Sequence, residues 1–98
     1  MEEVSLVVMI EVIPGQRDAQ LDLYRKLKPL VDAEPGCMQY TLFADAADEN
    51  RFVLLEKWAT QSALDAHDAT EHMIAADALT PTFRTGPARV IKMTAITA

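Results

Sequence analysis

A histidine and a glutamate close to the only tryptophan are the residues of this chain best suited to acid–base chemistry. Glu56 and Trp58 are two positions apart in RFVLLEKW, so on a strand their side chains project from the same face. His67 comes three residues after Leu64, which on a helix places it beside a buried stripe. Imidazole titrates near neutral pH and can take a proton from a phenol or an enol, so His67 is the best candidate for a general base. The same residues are also explained without chemistry, by a packed tryptophan, a glutamate paired at a strand end and a histidine bonded to a backbone carbonyl.

The sequence predicts no metal and no bound cofactor. His72 lies five residues after His67, roughly 140° further around an unbroken helix, so the two rings are expected to point apart. Asp68 and Glu71 offer further ligands through i, i+4 pairs, but no compact motif such as HExxH is present, and a solvated helix face explains them more simply. The three glycines form neither GxGxxG nor a Walker loop, so no phosphate cradle is expected. Cys37 has no obvious nucleophile partner, which predicts a buried, inert thiol.

Length and charge narrow the class of protein. The 98 residues are enough for one domain, predicted to span 1–98. Nine Lys and Arg against fifteen Asp and Glu give a net charge of -6, which disfavours nucleic acid as a partner. Glu11 interrupts the first apolar run and Pro14-Gly15 ends it, so neither a signal peptide nor a membrane span is expected. A single cysteine fits a reducing compartment, and a cytoplasmic location is predicted.

Hydrophobic periodicity indicates the elements that must position these side chains. Alternating apolar residues predict strands over 4–13, 37–43, 51–58 and 88–97, and helical spacing predicts helices from 17 to about 30 and from 60 or 62 to about 79. Pro29 is expected to kink or close the first helix, and a break near 68–70 is an alternative for the second. Pro35-Gly36 is in the order that a type II turn prefers.

The order β-α-β-β-α-β predicts an α+β, ferredoxin-like fold with a four-stranded antiparallel sheet and both helices on one face. Several strands are apolar on both faces, so the second face is expected to be covered by the sheet of a partner subunit. A homodimer is therefore predicted.

Three segments resemble the antibiotic biosynthesis monooxygenase (ABM) family: EPGCMQY at 34–40, RFVLLEKW at 51–58 and SALDAHDATEH at 62–72. The resemblance extends from about Val7 to Ile96. It implies a dimeric α/β barrel in which the sheets of two subunits pack together, with a ligand pocket in each subunit between sheet and helices. Some members are cofactor-independent oxygenases of quinol-like compounds.

The resemblance also implies roles for individual residues. His67 would be the base or proton shuttle, and Glu56 would orient a neighbour. The substrate-binding residues would be Trp58 and Tyr40, flanking an aromatic substrate, together with His72 and Phe83, the latter closing the pocket. A haem-degrading branch uses an asparagine on the first strand, whereas this chain has only Asn50 in a hairpin turn, so haem degradation is disfavoured.

The leading hypothesis is a homodimeric monooxygenase that oxidises a quinol or related electron-rich aromatic with dioxygen and without a cofactor. Deprotonation of a phenol gives an anion able to reduce dioxygen directly, so the protein needs to supply only a base, orientation and exclusion of water. Two alternatives stay open. One is a non-catalytic dimer that binds a small ligand, and the other is an isomerase of a small polar metabolite, which would need Arg84 or Arg89 turned into the pocket.

Overall fold

The computed structural model describes residues 2–98 and confirms the predicted α+β, ferredoxin-like architecture. Four antiparallel strands form one sheet in the order β2-β3-β1-β4. The elements along the chain are β1 (Val4–Glu11), α1 (Arg17–Asp32), β2 (Cys37–Ala44), β3 (Arg51–Trp58), α2 (Gln61–Asp68), α3 (Glu71–Leu79), a 3-10 turn (Thr80–Thr82) and β4 (Arg89–Met93).

The second predicted helix is divided into two. α2 ends at Asp68 and α3 begins at Glu71, with Thr70 at the junction. The Thr70 hydroxyl donates to the carbonyl of His67 (2.8 Å) and accepts from the backbone N–H of Met73 (3.3 Å), so one side chain satisfies the end of one helix and the start of the next. This junction changes the direction of the chain between the two histidines.

Three boundaries differ from the sequence prediction. β1 ends at Glu11, two residues earlier than predicted, where its pairing with β3 ends at Arg51. α1 continues for three residues beyond Pro29, to Asp32, because a proline late in a helix removes only one of the backbone hydrogen bonds. β4 ends at Met93, earlier than predicted, since β1 pairs with it only over Ser5–Met9 and gives the following residues no partner strand.

The core lies between the sheet and the helices. Alternate residues of β1 and β3 point into it, and their cross-strand pairs include Val8 with Leu54 and Leu6 with Glu56. Tyr40 on β2 pairs with Glu56, so these two side chains lie next to each other on the helix-facing side. The opposite face carries half-buried or exposed apolar side chains, contributed by Val7, Met9, Phe43, Val53, Leu55 and Ile91.

Among residues 2–98, none of the helices combines the length and the apolar character needed to cross a bilayer.

Candidate active site

A tight turn brings Glu34 against the second helix. Gly36 has a φ of +81°, as the third position of a type II turn requires, and its carbonyl accepts from the N–H of Ala59 (2.8 Å). A Cβ built on Gly36 would lie only 2.6 Å from the Cβ of Ala63 on α2. The absence of a side chain at this position therefore allows the turn and α2 to approach closely, which places Glu34 beside His67.

His67 is the most completely buried ionisable side chain of the site, with 2% of its surface exposed. Both carboxylate oxygens of Glu34 lie 3.0 Å from its Nδ1. An ionised carboxylate can only accept hydrogen bonds, so this contact favours the tautomer with the hydrogen on Nδ1. In that tautomer the neutral ring has a free lone pair on Nε2.

The free nitrogen lies on the side of a second carboxyl group. Nε2 of His67 is 3.7 Å from Oε1 of Glu56, which itself accepts from the indole Nε1 of Trp58 at 3.1 Å. The Trp58 ring packs against the imidazole with centroids 4.5 Å apart. Burial raises the pKa of Glu56, while the Trp58 N–H and the nearby His67 act in the opposite direction.

His72 joins the same cluster from the outer side. Its Nε2 lies 2.8 Å from Oε2 of Glu34, so the Glu34 carboxylate contacts both histidines of the chain. The expected divergence of the two rings is not observed, because the helix is interrupted at Thr70 and the geometry of an unbroken helix does not apply.

A cavity of about 180 Å³ lies between the sheet and the helices, lined by His67 and by Glu56, the carboxyl group nearer Nε2, but not by Glu34. His67, Glu56 and Tyr40 contribute to its wall together with Arg84, and the exposed residues Asp68 and Asp77 border it. Apolar side chains form the remainder, mainly Val8, Ile10, Leu23, Leu27, Leu54 and Met73. The lining is therefore about half apolar and half polar or charged, so the cavity offers an apolar surface next to several ionisable groups.

Tyr40 has a fixed position and a protonated hydroxyl. Its ring meets His67 edge-on at 5.9 Å and stacks on Tyr24 at 6.1 Å. Its backbone carbonyl accepts from the Tyr24 hydroxyl (3.1 Å) and from Nζ of Lys28 (2.7 Å). Burial raises the pKa of Tyr40 far above its ordinary value, so this phenol is a hydrogen-bond donor and not a base at neutral pH.

Arg84 supplies the cation of the cavity. Its Nε donates to Oε1 of the buried Gln20 (3.1 Å), which orients the guanidinium, and burial lowers its pKa without removing the charge. Sequence reasoning considered Arg84 only for an isomerase, because nothing in the local pattern gives the direction of a side chain in the loop before β4. Arg89 is exposed on β4 and does not line the cavity.

The structure brings three of the six predicted site residues to the cavity wall: His67, Glu56 and Tyr40. Trp58 is fully buried behind them, where it holds Glu56 and His67. His72 lies on the outer side of Glu34, and Phe83 is a core residue that does not line the cavity. Glu34 was not selected as a site residue, because it lies 33 positions from His67 and its only signal is its place in the EPGCMQY motif.

Comparison with known proteins places the whole arrangement in context. Residues 3–79 match the family model described as "Antibiotic biosynthesis monooxygenase". A protein of Bacillus subtilis (strain 168) named "Putative monooxygenase YcnE" is 38% identical over 69 residues, covering 70% of this chain and 73% of that protein. The "Probable quinol monooxygenase YgiN" of Escherichia coli (strain K12) is 34% identical over 79 residues, covering 70% of this chain and 76% of its own.

A solved structure has a similar fold. The crystal structure of PA3566 from Pseudomonas aeruginosa is similar with a TM-score of 0.91 and 26% identity, covering 99% of this chain and 97% of that one.

Proposed function

Because this chain belongs to the antibiotic biosynthesis monooxygenase family, we propose that it oxidises a quinol or related electron-rich aromatic compound with dioxygen, without a cofactor, in the cavity beside His67. The observation that supports this most directly is the contact of His67 Nδ1 with Glu34, which leaves Nε2 free to accept a proton on the cavity side. The name of the E. coli relative supports a quinol as the substrate class.

The reaction divides into a proton transfer and an oxidation. Nε2 of His67 removes a hydroxyl proton from the substrate, and Glu34 and Glu56 stabilise the imidazolium that forms. The resulting anion transfers electrons to dioxygen and forms a carbon–oxygen bond to a peroxide. His67 returns its proton to the peroxide, and the ring carbon that carries the peroxide then loses its hydrogen as a second proton. The electron pair of that C–H bond forms a carbonyl as the O–O bond breaks, so one oxygen atom stays on the ring and the other leaves with both protons as water.

Other residues of the cavity would hold the substrate. Tyr40 offers an aromatic surface and a hydroxyl donor, and the apolar floor excludes water from the anion. Arg84 would stabilise negative charge that develops on a substrate oxygen. The volume of about 180 Å³ is below the range of about 300–1,000 Å³ typical of ligand sites, which favours a substrate of one or two rings.

Oxygen uptake tests this proposal. A panel of one- and two-ring quinols is incubated with the protein, and uptake is compared with autoxidation in buffer and with anaerobic controls. We expect uptake that depends on substrate and protein, and a decrease of about 10²–10⁴-fold in kcat for His67→Ala. Ser62→Ala, an exposed change on the same helix, is the matched control. Uptake no faster than autoxidation, or full activity of His67→Ala, would contradict the proposal.

Arg84 is the observation that favours a second candidate, isomerisation of a small polar metabolite, because a half-buried guanidinium in a cavity wall is a site for a carboxylate or phosphate group. An isomerase would turn over equally well with and without dioxygen. A non-catalytic binding protein would retain its ligand unchanged under both conditions, so the same aerobic and anaerobic pair separates all three functions.

We further propose that the chain is a cytoplasmic homodimer whose subunits join through the open face of the sheet. Exposed apolar side chains support this interface, with Met9 44% and Phe43 49% exposed. A large apolar surface of this kind is uncommon on monomers.

A further inference from the structure

From the Glu34, His67 and His72 cluster we infer a binding site for a divalent transition metal, which lies beside the cavity, shares His67 with it and can switch the candidate base off. The three side chains come from the turn before β2, from α2 and from the start of α3. Their ligand atoms, one carboxylate oxygen and two imidazole nitrogens, all lie within 4.8 Å of one another. Two imidazoles and one carboxylate are a donor set used for zinc and for non-haem iron.

The two spacings to the Glu34 oxygen fit a shared metal ion. The Glu34 oxygen is 3.0 Å from Nδ1 of His67 and 2.8 Å from Nε2 of His72. Bonds of about 2.1 Å to a shared metal would then enclose angles of roughly 85–90°, the value for neighbouring ligands of an octahedron. Tetrahedral zinc requires separations of about 3.4 Å, so small movements of both the His67 and the His72 ring relative to the Glu34 oxygen would accommodate it.

A metal ion can bind to this cluster without changing the charge of the three ligands. In the metal-free form, contact with an ionised Glu34 favours the tautomers in which Nδ1 of His67 and Nε2 of His72 carry the hydrogens and donate to it. On binding, each neutral imidazole needs only to move its hydrogen to the other ring nitrogen. The His72 side chain is 22% exposed and that of Glu34 10%, so the ion reaches the site from solvent and water completes its coordination.

Loading the site changes the chemistry of the cavity. With a metal on Nδ1, the hydrogen of His67 occupies Nε2, and the nitrogen that faces Glu56 becomes a donor instead of an acceptor. Deprotonation of a substrate by His67 then stops. The inhibition of His67 by a bound metal rests on the proposed function, whereas the metal binding itself does not.

Binding is measured by equilibrium dialysis and calorimetry with Zn²⁺ on tag-free chain. We expect one ion per chain, with affinity reduced about tenfold or more in Glu34→Gln and in His72→Ala. The matched controls are Glu71→Gln, which makes the same chemical change at the exposed residue next to His72, and Cys37→Ser, which removes the only thiol; both should bind as wild type. Equal affinity in all five proteins, or no saturable binding, overturns the site.

Histidine ¹⁵N spectra of the unmodified chain give a second measurement that does not depend on folding of a variant. The chain has only two imidazoles, so their signals are separable. We expect Zn²⁺ to move the hydrogen of His67 from Nδ1 to Nε2, and unchanged tautomers of both rings overturn the site.

A separate experiment tests whether the metal inhibits quinol oxidation. Zn²⁺ should abolish the oxidation, a chelator should restore it, and His72→Ala should raise the inhibitory Zn²⁺ concentration at least about tenfold. If the chain has no quinol activity, the proposed function fails while dialysis and spectra still decide the metal site. If an active chain binds Zn²⁺ without inhibition, the switch is refuted and the site stands.

Discussion

Replacement of Gly36 by alanine tests the close contact that positions Glu34 beside His67. Two costs are expected at this residue. A side chain at a φ of +81° costs about 1–2 kcal/mol, because Cβ meets the neighbouring carbonyl in the left-handed region. The new Cβ also lies 2.6 Å from the Cβ of Ala63, and overpacking of this kind costs about 1–3 kcal/mol since the turn or α2 must shift.

Gly15 provides the matched control for the backbone cost. Its φ is +88°, but an added Cβ has nothing within 4 Å. Gly15→Ala should therefore lower the free energy of unfolding by about 1–2 kcal/mol, and Gly36→Ala by about 2–5 kcal/mol, a large share of the ~5–15 kcal/mol of a small domain. The difference between the two variants measures the contact with α2.

Urea unfolding at one fixed protein concentration gives these values and removes the effect of association on apparent stability. The double variant Gly36→Ala/Ala63→Gly completes a mutant cycle, since removal of the Ala63 methyl relieves the overlap. We expect a favourable coupling of about 1–3 kcal/mol. Equal effects of the two glycine substitutions, together with zero coupling, would show that the turn does not approach α2 as described.

Three further predictions concern the buried carboxyl group of Glu56, the junction between α2 and α3, and the open face of the sheet. Burial raises the pKa of Glu56 in the folded state. The folded protein therefore keeps the carboxyl proton of Glu56 to a higher pH than the unfolded chain does. The free energy of unfolding then decreases as the pH rises from the ordinary carboxyl range through the folded-state pKa. Glu56→Gln, which retains an acceptor for Trp58, should therefore be more stable than wild type at neutral pH and equal to it in acid, as measured by urea unfolding across pH; a constant difference would refute the burial penalty. Thr70→Val should cost about 1 kcal/mol through loss of the cap and should weaken Zn²⁺ binding, because His72 follows the junction; unchanged affinity in dialysis would count against the role of the junction. Phe43→Glu on the open face should convert the proposed dimer to monomers in sedimentation experiments, whereas Asp22→Glu on the outer side of α1 should not. A dimeric Phe43→Glu protein would exclude this face as the interface.

The sequence was sufficient for the fold because its signals are strong and local. The alternation in RFVLLEKW and the helical spacing after Gln16 each depend on a few neighbouring residues, and the order of the elements then leaves few topologies. The pairing of Glu56 with Tyr40 follows from the hairpin register, so these two cavity residues were also predictable.

The cluster around His67 was not predictable in the same way. Glu34 reaches it through tertiary contact, made possible by a missing methyl group at Gly36, and no periodicity encodes such a contact. Trp58, by contrast, was predicted to bind the substrate but does not line the cavity. Its type and spacing suggest a surface for an aromatic ligand, but its indole N–H donates to Glu56 and its ring packs on His67, so it contacts the site from within the core.

The chemistry available to His67 depends on which of its nitrogens carries the hydrogen. Glu34 lies at Nδ1 and Glu56 at Nε2, yet the first contact is 3.0 Å and the second 3.7 Å, so only Glu34 is close enough to accept a hydrogen bond. When the ring carries a single hydrogen, this contact therefore leaves the lone pair on Nε2, on the side of Glu56, where it can accept a proton. Whatever replaces the hydrogen at Nδ1 reverses that role, and His72 provides the second nitrogen ligand with which a metal could do so. Catalysis and metal binding should therefore exclude each other at this ring, although they use different sides of it.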